Sequence, residues 1–174
     1  GFEIEPQTAV WIRRDAPLMV IPSAERVRDE FVRLLNAFDA ARYVRRLETL
    51  SLLPFFIPEL PQLRGVRQTA PHRFDVWEHS LMVLDALEGV LMVGVAQQPG
   101  VPLLVDAPDA AWEDLAGALR PYAGRLDDHL AQDVNGGQTR DTLLRLAALL
   151  HDIGKPETWS EDAEGRVHFY RHEI

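Results

Sequence analysis

The stretch LAALLHDIGKPETW, residues 146–159, runs an apolar helical pattern into a turn that carries the only lysine of the chain, Lys155. Leu143, Leu146, Ala147 and Leu150 lie on one helical stripe; Thr139 or Asp141 suits the start of this helix, and Gly154 and Pro156 supply a stop. His151 follows Ala147 by four residues and shares the stripe, whereas Asp152 is turned about 100° away from it. A carboxylate at a helix C-terminus faces the negative end of the helix dipole, which costs roughly 0.3–1 kcal/mol unless positive charge offsets it. A divalent cation offsets it well. Imidazole and carboxylate on adjacent positions can converge on one ion, and Lys155 stands within reach of a phosphate oxygen.

Such an ion needs further ligands. The chain has no cysteine, so thiolate sites and disulfides are excluded and His, Asp and Glu are the strong ligands available. In FDVWEHSLMVLDALEGVLMV, Asp75 followed by Glu78 forms a capping pattern, and Val76, Val83, Leu84, Leu87, Val90 and Leu91 mark a long, mostly buried helix. His79 lies on its inward stripe with Val76, Val83 and Ala86. His168 and His172, in VHFYRHE, are late candidates. If the start of the His79 helix meets the end of the His151 helix, these groups can surround one or two metals that activate water against a phosphoester. Each piece alone has an ordinary reading: a core histidine, a C-cap turn, a lysine favoured near a helix end. The combination is more telling than its parts. His129 sits on an acidic face and is assigned no role; His72, after Pro71, reads as a loop residue.

Outward from these motifs, Ser23 caps an amphipathic helix through Val27, Phe31, Leu34, Leu35 and Phe38, and a second helical pattern runs from about Ala40 to Leu53. Pro54, Pro58 and Pro61 mark a connector. Asp109 starts a helix that is bent or split at Pro121, NGGQ closes it, and GRVHFYRHE is the one candidate for a short extended piece. The expected fold class is all-α.

The net charge is −9, which disfavours nonspecific nucleic-acid binding by the whole surface. Charge is uneven, however. Residues 1–50 hold eight Arg against eight acidic groups, and residues 51–174 hold ten basic against nineteen acidic groups, so an acidic partner meets the N-terminal part more easily. The longest apolar stretch, from Leu81, is interrupted by Asp85 and Glu88 and falls short of the roughly 20 residues of a bilayer span. A soluble, cytoplasmic protein without membrane attachment is expected. The chain opens without an initiator methionine or signal peptide and reads as part of something longer.

HDIGKP, preceded by an apolar helix and an upstream WEHSL, resembles the HD superfamily of metal-dependent phosphohydrolases. GFEIEP, SAERVRDEF, LPFFIPELPQLRGVRQ, HRFDVWEHSL, LAALLHDIGKPETW and GRVHFYRHE together resemble, in order, bacterial tRNA nucleotidyltransferases and poly(A) polymerases that carry an HD domain; Gly89–Thr139 is the poorly matched part. The resemblance implies a helical neck at 1–53, a connector at 54–73 and an HD domain at 74–174 whose final family Asp is expected beyond Ile174. It implies His79, His151, Asp152 and His172 as ligands of a divalent ion (Mg, Mn, Ni, Co or Fe), with His168 as the runner-up late histidine. Asp152 and Lys155 become the catalytic candidates, acting on a phosphomonoester or 2′,3′-cyclic phosphodiester of a phosphorylated small molecule or nucleotide. The implied partner is RNA, a tRNA or RNA 3′ ends, with Arg13, Arg14, Arg26, Arg28, Arg33, Arg42, Arg45 and Arg46 as phosphate contacts. The nucleotidyltransferase head is expected before Gly1. The competing expectation is a helical body that only positions RNA, its HD residues vestigial.

Overall fold

The computed structural model describes residues 3–69, 73–92 and 109–171. The architecture is all-α: α1 (Pro6–Asp15), α2 (Ala24–Leu35), α3 (Ala40–Thr49), α4 (Val76–Val90), α5 (Asp109–Leu119), α6 (Ala123–Leu130), α7 (Arg140–Leu150) and the single turn α8 (Lys155–Thr158). Two small antiparallel hairpins interrupt it. Strands β1 (Asp133–Asn135) and β2 (Gln138–Thr139) flank Gly136 and Gly137, both at positive φ, and β3 (Trp159–Glu161) pairs with β4 (Val167–Phe169). The extended piece expected near GRVHFY is β4, whereas the β1–β2 hairpin stands where only a helix end was expected.

Several local expectations meet a different outcome. Helix α1 was not anticipated; Pro6 occupies its first turn, and the Glu5 side chain accepts a hydrogen bond from Thr8 N at 2.8 Å. Helix α2 ends at Leu35, so Phe38 falls off the apolar stripe and is 61% exposed. Asp39, in the left-handed region at φ 67°, turns the chain sharply into α3. Helix α3 stops at Thr49, short of Leu53, because Ser51 also takes positive φ. Asp75 does cap α4, accepting from Glu78 N at 2.8 Å, but the Glu78 carboxylate turns to Arg45 instead of closing a capping box. Thr139 is the cap of α7, and the expected split at Pro121 is a 3-10 turn over Arg120–Tyr122. Pro156, expected to stop α7, opens α8 instead.

The proline-rich connector is part of the core. Its two 3-10 turns, Leu53–Phe55 and Leu60–Leu63, bury Leu53, Leu60 and Leu63 completely. These leucines join Phe31, Leu35, Ala41 and Val44 from α2 and α3 with Val76, Trp77, Leu81, Leu84 and Leu149 from α4 and α7 in one continuous apolar cluster. Helices α4 and α7 lie side by side in opposite directions, so the start of α4 reaches the end of α7. Among the described residues, no helix is long and apolar enough to cross a membrane.

Candidate metal centre

The apposition of α4 and α7 sets the geometry. His79 lies in the first turn of α4, one residue beyond Glu78, and His151 is the C-cap of α7. Their rings meet edge to face with centroids 5.3 Å apart. Asp152, just past the helix end, points back between them: its Oδ2 lies 3.1 Å from His151 Nε2 and 3.6 Å from His79 Nε2. One ligand atom from each of His79, His151 and Asp152 can be chosen so that all lie within 4.8 Å of one another, a spacing compatible with one shared cation.

The hydrogen bonds say what this cluster requires. His151 Nδ1 donates to the carbonyl of Ala148 at 3.0 Å, which fixes the tautomer and directs Nε2 at Asp152. With Nδ1 protonated, a neutral His151 presents a bare Nε2 lone pair to a carboxylate oxygen 3.1 Å away. Two acceptors at that distance repel, so the pair requires either a second proton or a cation. Accordingly the His151 pKa is raised, first by its hydrogen bond to Asp152, against the opposing effect of burial. Burial pushes the Asp152 carboxyl up, but hydrogen bonds from His151 and Lys155, and their charges, outweigh it and hold the group well below the usual carboxylate range. Asp152 is thus an ionised acid only 3% exposed. Two imidazoles and a buried carboxylate fit a divalent ion.

Lys155, expected to reach a phosphate, is 6% exposed and turned inward. Its Nζ forms an ion pair with Asp152 Oδ2 at 2.7 Å, donates to Gln68 Oε1 at 2.6 Å, and lies 5.1 Å from the centre of the Phe169 ring. His168 stands outside the ligand group. Its Nε2 meets Asp162 Oδ2 at 3.0 Å, its ring stacks on Tyr170, and that hydrogen bond leads the effects that lower the Asp162 carboxyl to about 2. His72 and His172 lie outside the described residues. His129 accepts a hydrogen bond from Arg140 on the surface. Gln68 had no signal in the sequence, since it reaches Lys155 from 87 residues away out of an irregular segment.

Of the N-terminal arginines, Arg14, Arg28, Arg33 and Arg42 pair with Asp15, Asp29, Glu30 and Asp39 on the surface, and Arg45 holds Glu78. Arg13 donates to the carbonyl of Thr49 at 3.5 Å. Two apolar cavities of about 660 and 680 Å³ lie elsewhere and share Met19, Pro22, Val27, Phe31 and Phe56. Their lining is mostly apolar, with Arg28 in the first and Arg26 and Glu30 in the second.

Fold and site together define a helical body with a His–His–Asp group that could hold a metal ion, its core shared with α2 and α3. Residues 1–63 match the family described as "Probable RNA and SrmB- binding site of polymerase A", and residues 119–174 match the HD domain family. An A-adding tRNA nucleotidyltransferase of Deinococcus radiodurans is 33% identical over 99% of the chain, which covers 31% of that protein. A CC-adding tRNA nucleotidyltransferase of Thermus thermophilus is 30% identical over 99% of the chain, covering 30% of that protein. A multifunctional CCA protein of Azoarcus is 44% identical over 48% of the chain, and that match covers 21% of the protein. The chain belongs to the tRNA nucleotidyltransferase and poly(A) polymerase family, as a neck and body region with an HD domain. It spans about a third of the length of the first two relatives.

Proposed function

We propose that the chain is the RNA-holding neck and the HD phosphohydrolase module of an RNA-processing protein of the nucleotidyltransferase type. The observation that carries the hydrolase reading is the convergence of His79, His151 and Asp152 on one point. In this reading the three side chains hold a divalent cation, with His172 as the late histidine that completes or flanks the site. When bound, the ion neutralises charge on a phosphoester and acidifies nearby water. The chain's own contribution is orientation: Ala148 O presents His151 Nε2, the α4 cap presents His79, and Asp152 stays ionised to serve as ligand. The substrate class is a phosphomonoester or a 2′,3′-cyclic phosphodiester. Metal analysis and a cyclic-phosphate assay on the full-length protein test this; His151→Ala abolishes metal-dependent hydrolysis, and unchanged activity in that variant contradicts the reading.

A second reading is favoured by a separate observation, the match of residues 1–63 to an RNA-binding family. Here the neck (1–53), the connector (54–73) and the HD region (74–174) position tRNA as one body, supported by their continuous core. Arg26 and Arg46, which have no ion-pair partner among the described residues, are the first phosphate contacts to test, and the surface-paired arginines are cheap to re-pair. RNA affinity of the full-length protein with and without residues 1–174, across a salt series, decides it. Unchanged affinity and salt slope remove the RNA role.

A further inference from the structure

Lys155 occupies a site built for it. An ammonium has three N–H donors and no acceptor, and its burial is tolerated only when those donors and the charge are met. Gln68 Oε1 takes one donor at 2.6 Å, the Asp152 carboxylate meets the charge as an ion pair at 2.7 Å, and the ammonium rests against the face of Phe169. An outward reach to a substrate phosphate would abandon all three contacts.

Gln68 is itself held in place. Its Nε2 donates to the carbonyl of Phe74 at 3.3 Å, so both ends of the amide are used and its flip state is fixed. The segment that carries it is pinned on the neck side by the Arg64–Glu48 ion pair and at the head of α4 by two backbone donations. Gly65 N donates to Asp75 Oδ2 at 2.7 Å, and Val76 N donates to Val66 O at 3.1 Å. Gly65 sits at φ 73°, a conformation that a side-chain-bearing residue adopts only with strain, and this turn aims the following residues toward Lys155. Asp75, which anchors this segment with one oxygen, caps the helix that presents His79 with the other.

We propose that Gln68 and Lys155 are positioning residues: Gln68 locks the Lys155 ammonium against Asp152, and the locked ammonium fixes the carboxylate that serves as a cation ligand. The inference rests on the cation reading of His79, His151 and Asp152. It makes the connector between neck and HD region part of the outer shell of the metal centre, although no motif marks it. Outer-shell groups of this kind typically change metal affinity about 10–100-fold.

Because Lys155 is the only lysine, its state can be followed without a metal. The experiment uses the full chain as wild type, Gln68→Leu and Gln68→Glu, with folding checked by circular dichroism. It measures acylation of Lys155 by an N-hydroxysuccinimide ester, mapped by mass spectrometry, and Mn²⁺ affinity by titration calorimetry. Gln68→Leu is expected to speed acylation about tenfold, the effect of losing one hydrogen bond to a charged group. It is also expected to weaken Mn²⁺ binding about tenfold. Gln68→Glu keeps and charges the acceptor for the ammonium while giving up the donation to Phe74, so acylation returns to the wild-type rate or below it and Mn²⁺ affinity recovers in part, a rescue that a merely structural role does not predict. Unchanged acylation, or unchanged Mn²⁺ affinity, in folded Gln68→Leu overturns the proposal. Failure of the cation reading is seen separately, as wild-type chain that takes up no Mn²⁺, and it overturns the positioning role as well.

Discussion

Helices α4 and α7 carry a buried carboxylate near each end of their shared interface, and the two are satisfied in opposite ways. Toward the end of α4, Glu88 accepts from Asp39 N at 3.0 Å, Ala40 N at 2.9 Å and Arg145 Nη1 at 2.9 Å. All three donors are permanent: two are peptide groups at the start of α3, and the third is a guanidinium that also holds Asp141 and the carbonyl of Leu35. At the other end, Asp152 Oδ2 meets Lys155 Nζ at 2.7 Å, His151 Nε2 at 3.1 Å and His79 Nε2 at 3.6 Å, and an imidazole nitrogen, unlike a peptide N–H or a guanidinium, can hold either a proton or a metal. One cluster is closed. The other is built from groups that can exchange a proton for a cation, and that difference separates a structural ion pair from a candidate site more sharply than burial or charge does.

The contrast is broken most strongly at the closed end. Glu88→Ala leaves Arg145 and the first amides of α3 without their partner, and the loss of one member of a buried pair costs roughly 3–5 kcal/mol. Urea unfolding should register that full loss, with Mn²⁺ affinity of the folded fraction unchanged. At the open end the expectation reverses. His151→Ala should lower Mn²⁺ affinity by more than the roughly 10–100-fold of an outer-shell loss, yet move stability by less than about 1 kcal/mol, since this side chain is partly exposed. Equal stability losses for the two variants would erase the distinction.

A smaller effect sharpens the closed end through pH. Asp85, one turn before Glu88, is pushed up to about 6, first by burial and then by the Glu88 charge. Its folded pKa exceeds the unfolded one, so the native state binds more protons between about pH 4 and 6 and loses stability as pH rises through that window. Asp85→Asn should therefore flatten the stability profile between pH 4 and 7 and raise stability at pH 7 by about 1–2 kcal/mol, after a discount for the part-exposed carboxyl. A parallel profile in wild type and variant contradicts this. The smallest effect belongs to the half-exposed Arg45–Glu78 pair beside His79: Arg45→Ala should cost about 0.5–1 kcal/mol in thermal unfolding.

The contrast also explains which parts of the molecule are legible in the sequence. His79, His151 and Asp152 were visible because each sits at a definable helix position, and the meeting of the two helices follows from their apolar stripes. The closed cluster was not visible, since Glu88 and Arg145 look like ordinary polar positions until the start of α3 packs between them. Phe38 falls off the stripe because α2 already ends at Leu35, short of it, and the periodicity alone does not mark that end. Glu78 matched a capping pattern, but Arg45, from 33 residues earlier, captures its carboxylate. Gln68 escaped notice for the same reason as the buried Leu53, Leu60 and Leu63: the prolines announced a connector, and nothing local tells a packed connector from a loose one.

The most direct test is Mn²⁺ titration of metal-free chain, as wild type, His79→Ala and His151→Ala, with folding followed in parallel. The account predicts one saturable site in wild type and its loss from either variant while the helical fold is kept. Binding that survives in His79→Ala, with the imidazole of α4 gone, would contradict the claim that α4 and α7 together build the metal centre.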